Sequence, residues 1–161
     1  MPALVLGLFV LGEAGLRLGY FGVAALVRPW RYSAASFIER GIAVSDPDPQ
    51  ILWRLAPGRS TMLKGARFTT NEAGFRGPEM ARSKAAGEHR IAVLGASIAV
   101  GEGVADGKPS PRQLERYLHE QGRTDATVLN CAVQNYEASQ LAAAYDTYVQ
   151  PYDPDAVLIP L

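Results

Sequence analysis

A serine that closes an apolar run is the residue of this chain best placed for chemistry. Arg90-Ile91-Ala92-Val93-Leu94-Gly95-Ala96-Ser97 starts as a short apolar segment of the kind a central parallel strand uses. Gly95 and Ala96 then let the backbone bend tightly and leave room beside a hydroxyl. Ligands and reacting groups collect at the carboxyl ends of strands in open α/β sheets. Ser97 there is a candidate nucleophile for acyl transfer, which needs a base for its proton and donors for the oxyanion. The same position equally suits a serine that only caps the next helix.

A second strand-like run, Ala126-Thr127-Val128-Leu129-Asn130, leads into a loop, Cys131-Ala132-Val133-Gln134-Asn135. Asn130 reads as a structural strand-end residue rather than a reacting one. The chain holds 2 histidines, His89 and His119. His89 precedes the first strand and belongs at its amino end, opposite Ser97. His119 falls on the polar side of a helix, so both read as surface residues and neither supplies a base.

No cofactor and no metal is expected. The glycines Gly95, Gly101 and Gly103 do not form a dinucleotide fingerprint, and no Gly-Lys-Ser/Thr follows to cradle phosphates. Glu102 and Asp106 read as solvating a loop. The 1 cysteine, Cys131, excludes an intrachain disulfide and a multi-cysteine zinc site. It reads as a small buried hydrophobe.

Several segments together resemble one family. Val93-Leu94-Gly95-Ala96-Ser97-Ile98-Ala99-Val100-Gly101-Glu102-Gly103-Val104 resembles the first block of the SGNH/GDSL hydrolases, where a strand ends in Gly-Asp-Ser before a Gly-rich apolar segment. About thirty residues on, the strand ending in Asn130 and its loop resemble the second block. Asp155-Ala156-Val157-Leu158-Ile159-Pro160-Leu161 fits the strand that follows. Asn71-Glu72-Ala73-Gly74-Phe75-Arg76-Gly77-Pro78-Glu79 resembles the segment before the catalytic domain in membrane-anchored bacterial members. The likeness covers roughly residues 51–161.

It implies a serine hydrolase of O-acyl esters of carbohydrate or lipid, with Ser97 as nucleophile. The backbone N–H groups of Ser97 and Asn135 would form the oxyanion hole, and Gly95 and Asn130 would support the site. Asn135 stands where the family has Gly, and Asn tolerates the left-handed conformation; it equally reads as a loop residue capping the next helix. Ala96 replaces the family's Asp. The Gly-x-Asn-Asp and Asp-x-x-His blocks do not occur. The resemblance therefore implies the N-terminal part of a longer protein, inactive alone for want of a base. The competing reading is a non-catalytic α/β module that binds a glycan or a partner through a degenerate site.

The elements that must position these residues alternate strand, helix, strand, helix, strand from Arg90 onward. That implies βαβ units and a parallel sheet. The expected fold is a three-layer α/β/α, SGNH-hydrolase-like (flavodoxin-like) domain, incomplete, behind an apolar N-terminal helix. Ser110 should cap a helix with Pro111 in its first turn, turning Leu114, Tyr117 and Leu118 to the sheet, with Gly122 as its end. A second helix is expected over residues 137–150, with Leu141, Tyr145 and Tyr148 on one face. Upstream, Ser45-Asp46-Pro47-Asp48-Pro49 reads as a boundary, and Pro57-Gly58 as the centre of a hairpin. The expected organisation is 1–30 apolar helix, 31–88 linker and small β-rich pre-domain, and 89–161 the hydrolase-like half-domain.

Net charge is +0, with 16 basic and 16 acidic residues in 161. That balance makes no electrostatic case for nucleic-acid binding. Residues 1–27 carry only Glu13 and Arg17 as charges. Two readings follow: a membrane anchor holding an extracytoplasmic domain, or an amphipathic helix lying on a membrane or packed on the domain. Glu13 and Arg17 can pair on one helix face, and Trp30 and Tyr32 suit a membrane–water interface.

Overall fold

Residues alternating between two buried faces make the centre of the structure. In this computed structural model, β5 (His89–Val93) lies between β6 (Ala126–Asn130) and β7 (Ala156–Leu158), all parallel, in the order β6-β5-β7. Ile91 sits opposite Val128 on one side and Ala156 on the other. The described residues are 41–160, with positions 7, 10–12 and 14–15. The chain divides into two compact units, Met1–Gly41 and Ile42–Leu161. In the first, positions 7, 10–12 and 14–15 are helical and Gly41 is in a turn. The anchor reading, with Glu13, Arg17, Trp30 and Tyr32, rests on residues outside those described. Among the described residues no helix is long and apolar enough to cross a membrane.

The second unit is mixed α/β: one three-stranded parallel sheet and two antiparallel pairs. Ala92, Leu94, Leu129 and Cys131 share one sheet face and bury a cluster with Val149 and Tyr152. Phe75, Leu141 and Tyr145 pack against it. Residues 42–88 thus contribute to the same core as the sheet.

The two antiparallel pairs are β1 (Ala43–Ser45) with β2 (Trp53–Leu55), and β3 (Ser60–Leu63) with β4 (Ala66–Thr69). The break expected at residues 45–49 is the connection inside the first pair. Asp46 and Asp48 shape it by accepting the backbone N–H of Asp48 (3.0 Å) and Gln50 (2.8 Å), so its turn chemistry is local and marks no boundary. Pro57-Gly58 joins the two hairpins and does not head either. The β3–β4 tip is Lys64-Gly65, both with positive φ (49° and 81°), as a two-residue type I′ connection requires. Lys at such a position carries no sequence signal, and Pro-Gly overshadowed it.

Three helices connect the parallel strands. The first, α1 (Ser97–Val100), follows β5 directly, and α2 (Ser110–Glu120) precedes β6. The N-cap of α2 is Pro109 with no side-chain cap, so Ser110 lies inside the helix. Its buried residues are Pro111 and Glu115, whereas Tyr117 is 57% exposed. The rotation has a polar cause. β6 is an edge strand, and the Glu115 carboxylate accepts the Val128 N–H at 2.8 Å, satisfying a ladder donor that would otherwise be buried unpaired. Gly122 ends the helix at φ 85°.

The helix expected over 137–150 is three pieces. α3 (Ala138–Ala144) opens with a capping box between Glu137 and Gln140. A π-helical turn (Tyr145–Val149) and a 3₁₀ turn (Gln150–Tyr152) follow. Pro151 in that last turn cannot donate the helical N–H, and the chain tightens into β7.

Candidate functional site

Ser97 is the first residue of α1 and half-buried. The N-cap of α1 is Ala96 (φ −101°, ψ −151°), and no side chain caps the helix. Ser97 therefore does not serve as a cap. Its carbonyl accepts the Gly101 N–H at 3.1 Å, while its Oγ makes no hydrogen bond with any described residue. Its backbone N–H, in the first helical turn, has no intrahelical acceptor.

Two neighbours explain how the turn is held. A Cβ on Gly95 would stand 2.9 Å from the Ala99 Cβ, so only glycine lets α1 fold back this closely on β5. Gly95→Ala is expected to cost about 1–3 kcal/mol through overpacking, read from urea unfolding. An unchanged midpoint would show that α1 gives way freely. Asn130, 2% exposed, donates from Nδ2 to the Ala99 carbonyl at 3.1 Å and accepts the Ala132 N–H at 3.3 Å. It ties α1 to the end of β6 and is a positioning residue.

Asn135 has φ 58° and is exposed. The N-cap of α3 is Glu137, so Asn135 does not cap it. Asn135 lines a depression with Leu52, Trp53 and Gln140. A separate apolar cavity of about 720 Å³ opens beside Gly95 and Ala96, between Tyr136, Leu141, Tyr145 and Ile159. Neither Ser97 nor Asn135 is among its lining residues. The structure thus brings Gly95 and Asn130 to Ser97 and places Asn135 on a neighbouring surface.

Neither histidine stands near Ser97. His89 opens β5 at the end away from Ser97, 3.8 Å from Asp125 and 4.0 Å from Asp155. His119 Nε2 is 2.7 Å from the Ala126 carbonyl oxygen, at the amino end of β6. Cys131 is buried, and burial pushes its thiol well up, which leaves it a protonated, unreactive core group. Burial likewise raises the Tyr136 phenol, whose hydroxyl donates to the Trp53 carbonyl. Among the described residues no three His, Cys, Asp or Glu side chains gather to hold a metal ion.

The main discovery of the tertiary structure is Arg76, 3% exposed. Its Nη1 donates to the carbonyls of Val100 (2.8 Å) and Gly101. Its Nη2 reaches the carbonyls of Val104 (2.6 Å) and Arg67 (3.3 Å) and the Asp106 carboxylate (3.3 Å). The guanidinium lies 4.5 Å from the centroid of Phe68. Arg76 therefore clamps the loop that leaves α1.

The segment around it is built to present it. Asn71 Oδ1 accepts the N–H of Ala73 (3.1 Å) and Phe75 (2.8 Å), and its Nδ2 donates to the Pro78 carbonyl (3.0 Å). Gly74 has φ 84°, and a Cβ there would meet the Leu55 carbonyl oxygen at 2.7 Å. Glu102 and Asp106 do not simply solvate the loop. Glu102 pairs with Lys64, and Asp106 accepts from Thr69 Oγ1 (2.6 Å) and Arg76.

No protein-family model matches this chain, and no curated protein does.

Proposed function

We propose that Ser97 is the nucleophile of an SGNH-type serine ester hydrolase acting on O-acyl esters of carbohydrate or lipid. In this reading the chain supplies the nucleophile and the acyl cavity, and the full-length protein supplies the base. The observation that carries it is the position of Ser97. It heads α1 at the carboxyl end of the central strand with its Oγ uncommitted, next to Ala96 on the wall of a 720 Å³ apolar cavity. The strand order β6-β5-β7 supports the three-layer, flavodoxin-like arrangement.

Chemically, Oγ would attack the acyl carbon while a base takes its proton; the base would return that proton to the departing alcohol as the tetrahedral intermediate collapses to an acyl-enzyme, which water would then cleave to release the acid and restore Ser97. The Ser97 backbone N–H would face the developing oxyanion. The resemblance would make Asn135 a second backbone donor, its φ of 58° matching the conformation a glycine takes, although it lines a neighbouring depression. Gly95 and Asn130 fix the turn. The apolar stretch 1–27 supports attachment to a membrane with an extracytoplasmic domain.

The alternative, a non-catalytic glycan- or partner-binding module, is favoured by Ala96 at the family's Asp position and by both histidines lying away from Ser97. A fluorophosphonate probe on the longest native form, beside Ser97→Ala, separates the two. Labelling that disappears in the variant establishes an activated serine. A folded full-length protein that takes no label leaves the binding module.

A further inference from the structure

Beside the Arg76 clamp lies a second cavity of about 320 Å³. We infer that this cavity is a binding site for a phosphate-type oxyanion, held by Arg67, Arg112 and the amino end of α2 over the buried Arg76.

Its lining is cationic. Arg67, Arg76 and Arg112 all contribute, against a single carboxylate, Asp106. Asp106 is already engaged: Oδ1 accepts the Thr69 N–H (3.2 Å) and Arg76 Nη2 (3.3 Å), and Oδ2 accepts Thr69 Oγ1 (2.6 Å). Arg112 shares its charge with Glu115 behind it on α2. The Arg67 side chain is exposed and has no hydrogen-bond or ionic partner among the described residues. Positive charge therefore exceeds negative charge around this hollow.

Two further features point to a ligand. Pro109 and Arg112 bring the amino end of the 11-residue helix α2 to the cavity, where unpaired backbone N–H groups and the helix dipole favour an anion. Pro111 contributes no donor, but the N–H groups of Ser110 and Arg112 precede the first intrahelical bond. Arg76, itself 3% exposed, keeps a buried Nε with no partner. Burial pulls its pKa below the ordinary arginine value, and Asp106 only partly opposes this. An anion in the cavity would complete the compensation of that buried charge.

A phosphate group fits better than a carboxylate. The guanidinium groups of Arg67 and Arg112 and a helix terminus offer more donors than one planar carboxylate can accept, whereas a tetrahedral dianion presents more oxygens to them. The volume leaves room for a substituent on the phosphate. The site is independent of Ser97 and stands whether or not the chain is part of an esterase.

The test is calorimetric titration of the full chain with inorganic phosphate at constant ionic strength, with acetate as a second arm. Saturable phosphate binding in the millimolar range or tighter is expected (about −4 kcal/mol at 1 mM), with acetate weaker by about tenfold or more. Arg67→Gln, on an exposed side chain without partners, should weaken phosphate at least about fivefold, and adding Arg112→Gln should abolish measurable binding. Arg123→Gln, whose partner is Asp125, should leave the affinity unchanged. No saturable uptake, or equal affinity in Arg67→Gln/Arg112→Gln, would overturn the site. Equal affinity for acetate would overturn its assignment to phosphate.

Discussion

Arg76→Ala is expected to destabilise the Ile42–Leu161 unit by about 3–5 kcal/mol, the range for removing one member of a buried charged network. The guanidinium is the common partner of the carbonyls of Val100, Gly101 and Val104. Without it the buried Val100 carbonyl loses this donor and the Gly101 carbonyl keeps only the Val104 N–H at 3.3 Å, and each buried acceptor left unpaired costs about 1–3 kcal/mol. The remaining ties of the loop, Glu102 to Lys64 and Asp106 to Thr69, lie at its exposed side. Gly101, at φ 79°, approaches Pro109 so closely that a Cβ would lie 2.9 Å from its ring.

Arg76→Lys should recover less than half of the loss. An ammonium is a point donor and cannot reproduce a planar fork spread over several carbonyls. Urea unfolding of the three proteins, with hydrogen exchange at residues 100–106, checks both statements. A Lys variant as stable as the wild type would mean that charge alone, and not the fork, holds the loop.

Arg90→Ala should have an effect of similar size, about 3–5 kcal/mol, at the other end of β5. Arg90 is 1% exposed. It donates to both oxygens of Glu88 (2.7 and 3.0 Å) and to the carbonyls of Arg82 (2.8 Å), Ser83 (3.1 Å) and Tyr152 (2.9 Å). One side chain thereby fastens both the segment entering β5 and the turn leading to β7.

The pair also sets an acid limit. Hydrogen bonds from Arg90, reinforced by the Ala85 N–H, hold the Glu88 carboxyl down at about 2 against burial. Its folded pKa lies below the usual 4.5. The contribution is therefore complete above pH 4.5 and is lost as pH falls toward 2. With solvent screening allowed for, that loss is about 1–2 kcal/mol. Glu88→Gln should flatten the stability–pH curve by this amount across the same window. A variant whose curve keeps the wild-type slope would place the acid sensitivity elsewhere.

These two arginines also mark the limit of what a linear reading sees. The strand run before Gly95, the second strand ending at Asn130 and the strand after Asp155 are local patterns, and each forms a strand where expected. Periodicity and small-residue turns are decided within a few residues, because backbone sterics and side-chain alternation act at that range. The turn that carries Ser97, and Gly122 as a helix end, follow the same logic.

The inward face of α2 does not. Apolar spacing nominated Leu114, Tyr117 and Leu118, but the helix buries Glu115 because an edge strand 13 residues later presents a free N–H. Nothing in the local pattern around Arg76 or Arg90 marks either as buried. Their burial depends on carbonyls that lie up to 28 and 62 residues away. Ser97 and Asn135 belong to one family resemblance in the sequence, yet Asn135 lines a depression to which Ser97 does not contribute.

The sequence by itself therefore determined the parallel α/β core and the placing of Ser97 at its strand end. Only the tertiary structure decided which polar groups are buried, which loops they clamp, and which cavities open beside them. Desolvated charge is stabilised by partners brought together through packing, and no local pattern encodes who those partners are.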